Sequence, residues 1–110
     1  MQSKIQQITS DQFLDKIILK KANALVKISM EWNGAGQMLG HTLQDLSLQY
    51  SNRLDFFDLE YEAESVLSAA YRVDTLPTIL FFKKGTLVDK LSGLNHRMVI
   101  LHKINKLINA

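Results

Sequence analysis

Apolar residues in this chain switch repeatedly between helical and strand spacing, and the switches fall at capping and turn residues. Thr9 or Ser10 can cap a helix running to Lys20, with Thr9 and Gln12 at capping-box spacing. Phe13, Leu14, Ile17 and Ile18 would then form its buried stripe. Asn23 ends that helix, and residues 24 to 30 read as a mostly apolar strand with one charge, Lys27, inside it. After a Gly34-Ala35-Gly36 turn, Met38, Leu39, Thr42, Leu43, Leu46 and Tyr50 recur at helical spacing and predict a long helix over residues 37 to 50. Residues 54 to 58 read as a strand and 64 to 71 as a short helix. Residues 78 to 83, the pair Lys84-Gly85 and residues 87 to 92 have the outline of a β-hairpin with Gly85 supplying a positive φ. Asn95 is placed to cap a last helix with Met98, Leu101, Ile104, Leu107 and Ile108 facing the core and Val99 and Ile100 outward. Strands alternating with helices predict an α/β domain with helices packed on a sheet.

Composition narrows the function more than the fold. The 110 residues suit a single domain, 1–110, with 46% hydrophobic and 22% charged residues, far from the composition of disordered chains. The formal net charge is +2, and the 13 Lys and Arg are spread rather than gathered into a stripe, so no nucleic-acid partner is expected. No stretch approaches the roughly 18 apolar residues of a membrane span, and the start has no apolar run suited to a signal peptide. A soluble, cytoplasmic protein with no membrane partner is the expectation. There is no cysteine.

At Met30-Glu31-Trp32-Asn33-Gly34-Ala35-Gly36-Gln37-Met38 the chain resembles the signature of the thioredoxin family, in which alanine, glutamate and tryptophan precede Cys-Gly-Pro-Cys, lysine and methionine. The likeness continues through Leu76-Pro77-Thr78, where the family carries a cis-proline, through Phe82-Lys83-Lys84-Gly85 at the hairpin, and to Gly93 before the last helix. It implies a thioredoxin fold, a central mixed sheet of about five strands flanked by about four helices, and a cis Leu76-Pro77 bond.

The family's chemistry is not implied. Thiol–disulfide exchange needs one thiolate to attack a disulfide and a second thiol to resolve the mixed disulfide, and here Asn33 and Gly36 occupy the two cysteine positions. Asn33 suits an N-cap of the long helix but has nothing to ionise. Thioredoxins place a buried Asp where this chain has Lys27, and a Lys on the neighbouring strand where it has Asp58. The resemblance therefore implies a buried charge pair, Lys27 with Asp58, exchanged between strands and within about 4 Å. A catalytic Lys27 is the alternative, with no nucleophile or carbonyl-binding group evident beside it. Ser29 replaces a second tryptophan and is expected to alter the groove. His41 stands where thioredoxins have a helix-kinking proline, while His96 and His102 lie six apart and off a shared face, so no metal site is expected and the histidines suit solvated or capping roles. Tyr50, Tyr61 and Tyr71 read as packing residues.

The sequence thus supports a redox-inactive thioredoxin-like protein, a non-enzyme that needs no cofactor and binds a protein or extended peptide. The resemblance assigns one wall of that groove to Trp32, Asn33, Gly34, Ala35 and Gly36, the floor to Thr75, Leu76 and Pro77, and the other wall to Gly93 and Leu94. Leu76 would offer its backbone N–H and C=O to an added strand. Two alternatives stay open: a structural subunit of a larger assembly, and an enzyme with non-thiol chemistry on this scaffold. Against the latter, the sequence has no Ser-His-Asp set, Gly-rich phosphate loop or metal spacing.

Overall fold

The computed structural model describes residues 4–30, 34–63 and 65–109. Strand β1 (Ile5–Ile8) leads into helix α1 (Ser10–Phe13), which continues as a π-helical segment (Leu14–Leu19). Strand β2 (Ala24–Ser29), helix α2 (Gly34–Tyr50), strand β3 (Asp55–Glu60) and helix α3 (Val66–Ala70) follow. Strands β4 (Thr78–Lys83) and β5 (Thr86–Ser92) and helix α4 (Arg97–Ile108) complete the chain. The five strands form one mixed sheet in the order β1-β3-β2-β4-β5. β1, β3 and β2 run parallel, and β4 and β5 are added antiparallel.

Because side chains alternate across a strand, neighbouring residues go to opposite faces. Phe57 and Phe82 face a core shared with Phe13 and Ile17 of the first helix and with Leu67 of α3. Phe56 and Phe81 face a second core built with Leu39, Leu43 and Leu46 of α2 and Ile100, Ile104 and Leu107 of α4. The first face also holds an aromatic trio, Phe13, Tyr71 and Phe82, with ring centroids 5.4 to 5.6 Å apart. Burial among these rings raises the Tyr71 hydroxyl above its ordinary pKa. Tyr61 packs on the same core and Tyr50 on the other.

Several elements depart from the sequence reading for identifiable reasons. The Gly34-Ala35-Gly36 segment is helix, not turn, and α2 starts three residues before the predicted residue 37. Glycine costs about 1 kcal/mol in a helix, but packing overrides that propensity here, since Gly36 is buried against the sheet. The first helix has the expected capping geometry, with the Thr9 N–H donating to Gln12 Oε1 at 3.0 Å. Of the expected stripe Phe13, Leu14, Ile17 and Ile18, however, Leu14 is lost, while Ile18 packs partly buried against the core. The Ala22 N–H reaches the carbonyl of Ile17, five residues back. This π-type closure changes the angular step between residues, so Phe13 and Ile17 are buried while Leu14 is 53% exposed.

In α4 the cap is His96, whose Nδ1 accepts from the Met98 N–H at 3.0 Å. Asn95 is engaged one turn earlier, donating from Nδ2 to the carbonyls of Ser92 and Gly93. The buried stripe is accordingly Ile100, Ile104 and Leu107, so Ile100 faces the core and Met98 is exposed, the reverse of the expectation. Met38 of α2 is likewise exposed. β3 starts one residue later than expected and runs two residues further, to Glu60, paired on both sides. The hairpin turn is two residues with φ of 51° at Lys84 and 81° at Gly85, the left-handed pair that matches strand twist.

Candidate functional site

Lys27 sits at the middle of β2, on the face covered by α2, and is 9% exposed. The parallel register sets Asp58 of β3 directly beside it, and Gln7 of β1 beside Asp58 on the other side. The Lys27 ammonium lies 3.4 Å from Asp58 Oδ2 and donates to the Gly36 carbonyl, also at 3.4 Å. Gln7 Nε2 donates to the same Asp58 oxygen at 3.1 Å. Gly40 completes the enclosure, because a Cβ there would stand 3.4 Å from Lys27 Nζ. Lys27, Asp58, Ser29 and Glu60 line an open cleft of about 350 Å³ at the start of α2.

A buried ion pair with long contacts gains less than one at the 2.7–2.9 Å of strong charge-assisted bonds. Both charges here are nonetheless compensated: the carboxylate by Lys27 and Gln7, the ammonium by Asp58 and a helix carbonyl. No cysteine stands near to use Asp58 or Lys27 as a proton carrier.

The second part of the site is the turn before β4. The Leu76–Pro77 bond is cis. Pro77 is buried, Leu76 half-buried and Thr75 exposed. The Thr75 carbonyl accepts from the Thr78 hydroxyl, and the Pro77 carbonyl accepts from the Gly93 N–H at 2.7 Å. That bond brings Gly93 and Leu94 against the turn. Gly93 has φ +78°, which a side-chain-bearing residue adopts only with strain. Leu94 is 51% exposed. Among the described residues, nothing hydrogen-bonds the backbone N–H or C=O of Leu76.

The structure thus joins Pro77 to Gly93 and Gly36 to Lys27, while no described hydrogen bond links these two sets or ties Gly34 and Ala35 to either. Gly34 is exposed with open space around its Cβ position. Trp32 and Asn33 lie outside the described residues. Sequence reasoning misses Gln7 and the Gly36 carbonyl as partners of the charge pair, and the close approach of Gly40 to Lys27. Only the strand register and the helix–sheet approach reveal them.

The thioredoxin family model matches residues 4–106. The chain belongs to the thioredoxin family. It is 22% identical over 102 residues to a thioredoxin of Griffithsia pacifica, covering 93% of this chain and 94% of that one. It is 22% identical over 105 residues to a thioredoxin of Pyropia yezoensis, covering 96% and 98%. A thioredoxin of Staphylococcus aureus is 26% identical over 102 residues, 93% and 96% of the two chains. Within this family the chain is a member without thiols: its 110 residues contain no cysteine, so dithiol exchange has no nucleophile. Among the described residues no helix is long and apolar enough to cross a membrane, and no group of three or more His, Cys, Asp or Glu is placed to hold a metal.

Proposed function

We propose that this thioredoxin-family protein is a redox-inactive binding module that takes an extended segment of a partner protein along the cis-Pro77 turn. The observation that carries the reading is the unpaired backbone of Leu76 beside an exposed Leu94. An extended peptide aligned on Leu76 gains two backbone hydrogen bonds as a short added strand, and alternate side chains choose the partner. Gly93 bounds the turn on one side. The resemblance gives the other wall to Trp32, Gly34 and Ala35. Thioredoxins hold substrates partly through a mixed disulfide; without one, affinity comes from burying Trp32, Leu76 and Leu94 against the partner and from those few bonds, and is modest. The compensated Lys27–Asp58 pair supports a structural and not a catalytic use of the charges.

The test compares wild type with Leu94→Glu, a change at an exposed side chain, in affinity isolation from the native host. Partners retained by wild type and lost by L94E, together with no insulin-disulfide reduction above the buffer rate, support the reading. Partners held equally by both proteins, or amide shifts on partner addition that avoid Leu76, Gly93 and Leu94, refute it.

A further inference from the structure

A second surface lies on the other face of the sheet. The π segment turns Leu14 out of the core, and Val66, the first residue of α3, is 86% exposed. Between them runs an open, mainly apolar groove of about 610 Å³, lined by Leu14, Ile18, Val66, Ala70, Tyr71 and Leu87. π-helical segments concentrate at functional positions, and this one aims an aliphatic side chain at the groove where an ordinary helix predicts core.

The groove's ends are oppositely charged. At the hairpin end, Gly85 approaches the first helix so closely that a Cβ would stand 3.2 Å from Lys21 Cα, which sets exposed Lys21 beside exposed Lys84. Arg72 follows Tyr71 on the α3 side and is also exposed. None of these three belongs to an ion pair among the described residues. At the opposite end, Ser10 at the start of α1 donates to exposed Glu62 at 3.2 Å, next to exposed Asp11.

We propose that this groove docks an amphipathic α-helix of a partner protein, with an aliphatic face in the groove and an acidic C-terminal turn against Lys21 and Lys84. A helix is the fitting form because its backbone bonds are satisfied internally. The walls are mainly apolar side chains from two helices, and at the hairpin end the Gly85 N–H is already spent on the Ala22 carbonyl. The partner helix's negative C-terminal end then meets the lysines, and its positive N-terminal end meets Glu62 and Asp11. This surface is independent of the Pro77 turn.

The test uses two synthetic peptides of about 20 residues, beyond the length at which isolated helices are marginal, with one leucine face on an alanine and glutamine background. One ends in three glutamates, the other in three lysines. Titration into isotope-labelled full-length protein should shift amides of Leu14, Ile18 and Val66, with the glutamate-ended peptide bound at least about fivefold more tightly. Val66→Glu, which removes little packing at so exposed a position, should weaken binding at least about tenfold. Lys84→Glu should erase the preference for the acidic end. Equal affinity for the two peptides, shifts confined to Leu76, Gly93 and Leu94, or no saturable shift would overturn the proposal. So would a dimer in sedimentation equilibrium that Val66→Glu dissociates, which would give the groove to a second copy.

Discussion

Removing Asp58 alone should cost far more than removing both members of the Lys27–Asp58 pair. At 3.4 Å and an effective dielectric constant of about 20, the direct attraction is on the order of 5 kcal/mol. Desolvating the two groups costs several kcal/mol each, so the pair's net contribution is close to zero. Asp58→Leu leaves the ammonium in the core with the Gly36 carbonyl, at 3.4 Å, as its acceptor. That change should cost about 3 kcal/mol. Lys27→Met keeps the stem's volume and leaves a carboxylate whose side chain is 23% exposed and still bonded to Gln7. Its cost should be nearer 1 kcal/mol. The double variant should fall within about 1 kcal/mol of wild type, giving a coupling of roughly 3 kcal/mol. Urea unfolding of the four proteins, with unchanged slopes as the check on two-state behaviour, measures each term. If Lys27→Met proves costlier than Asp58→Leu, or the two costs simply add, the pair does not work as described.

Other expectations rest on separate parts of the molecule. Burial pushes the Asp89 carboxyl up, but the hydrogen bond and charge of Lys103, at 2.9 Å, the Lys90 N–H and the charge of Lys106 together outweigh it, so the group sits below the usual carboxylate value. A depressed folded-state pKa contributes stability above the unfolded value of about 3.9, and that contribution is lost as pH falls through the folded one. Acid titration of unfolding should therefore show a steeper loss below about pH 4 for wild type than for Asp89→Asn; parallel curves would contradict this. Gly85→Ala should destabilise by more than 1 kcal/mol or so, because the backbone is left-handed and the new Cβ would meet the Ile18 carbonyl at 2.8 Å; a neutral melting temperature would refute it. Phe13→Ala should cost about 3–5 kcal/mol by emptying the aromatic trio. Cysteines placed at Asn33 and Gly36 should restore only weak insulin reduction, since Lys27 occupies the proton acceptor's position; rates equal to an ordinary thioredoxin would show that the acceptor is dispensable.

How much was legible in the sequence depended on whether a signal was local. The Lys84-Gly85 turn and the Thr9–Gln12 cap are set by neighbouring residues, and both appear where the pattern puts them. Periodicity puts Leu14 in the core because it assumes one angular step, and nothing in residues 10 to 19 announces the π closure made with Ala22. Of the stripe Met98, Leu101, Ile104, Leu107 and Ile108, all but Met98 pack on the core; Ile100 also has helical spacing with Ile104 and Leu107, and only packing on the sheet selects it over Met98. The charge at Lys27 stood out as an anomaly in an apolar strand, and the family resemblance supplied Asp58. Gln7 and Gly40 entered through register and helix height, which a single sequence does not carry.

The landmarks that tie this chain to thioredoxins each have work to do in the fold itself. Gly85 lets the hairpin close against the first helix, the Pro77 carbonyl pins Gly93 at 2.7 Å, and Gly93 supplies a left-handed backbone. Once thiol chemistry is gone, folding alone is enough to keep these residues, so their presence is no argument for a used groove. Leu76 and Leu94 are different. Folding gains nothing from an unpaired amide and carbonyl at Leu76 or from a leucine side chain half in water. These two positions, more than the shared motifs, are where mutation separates an inherited surface from a working one.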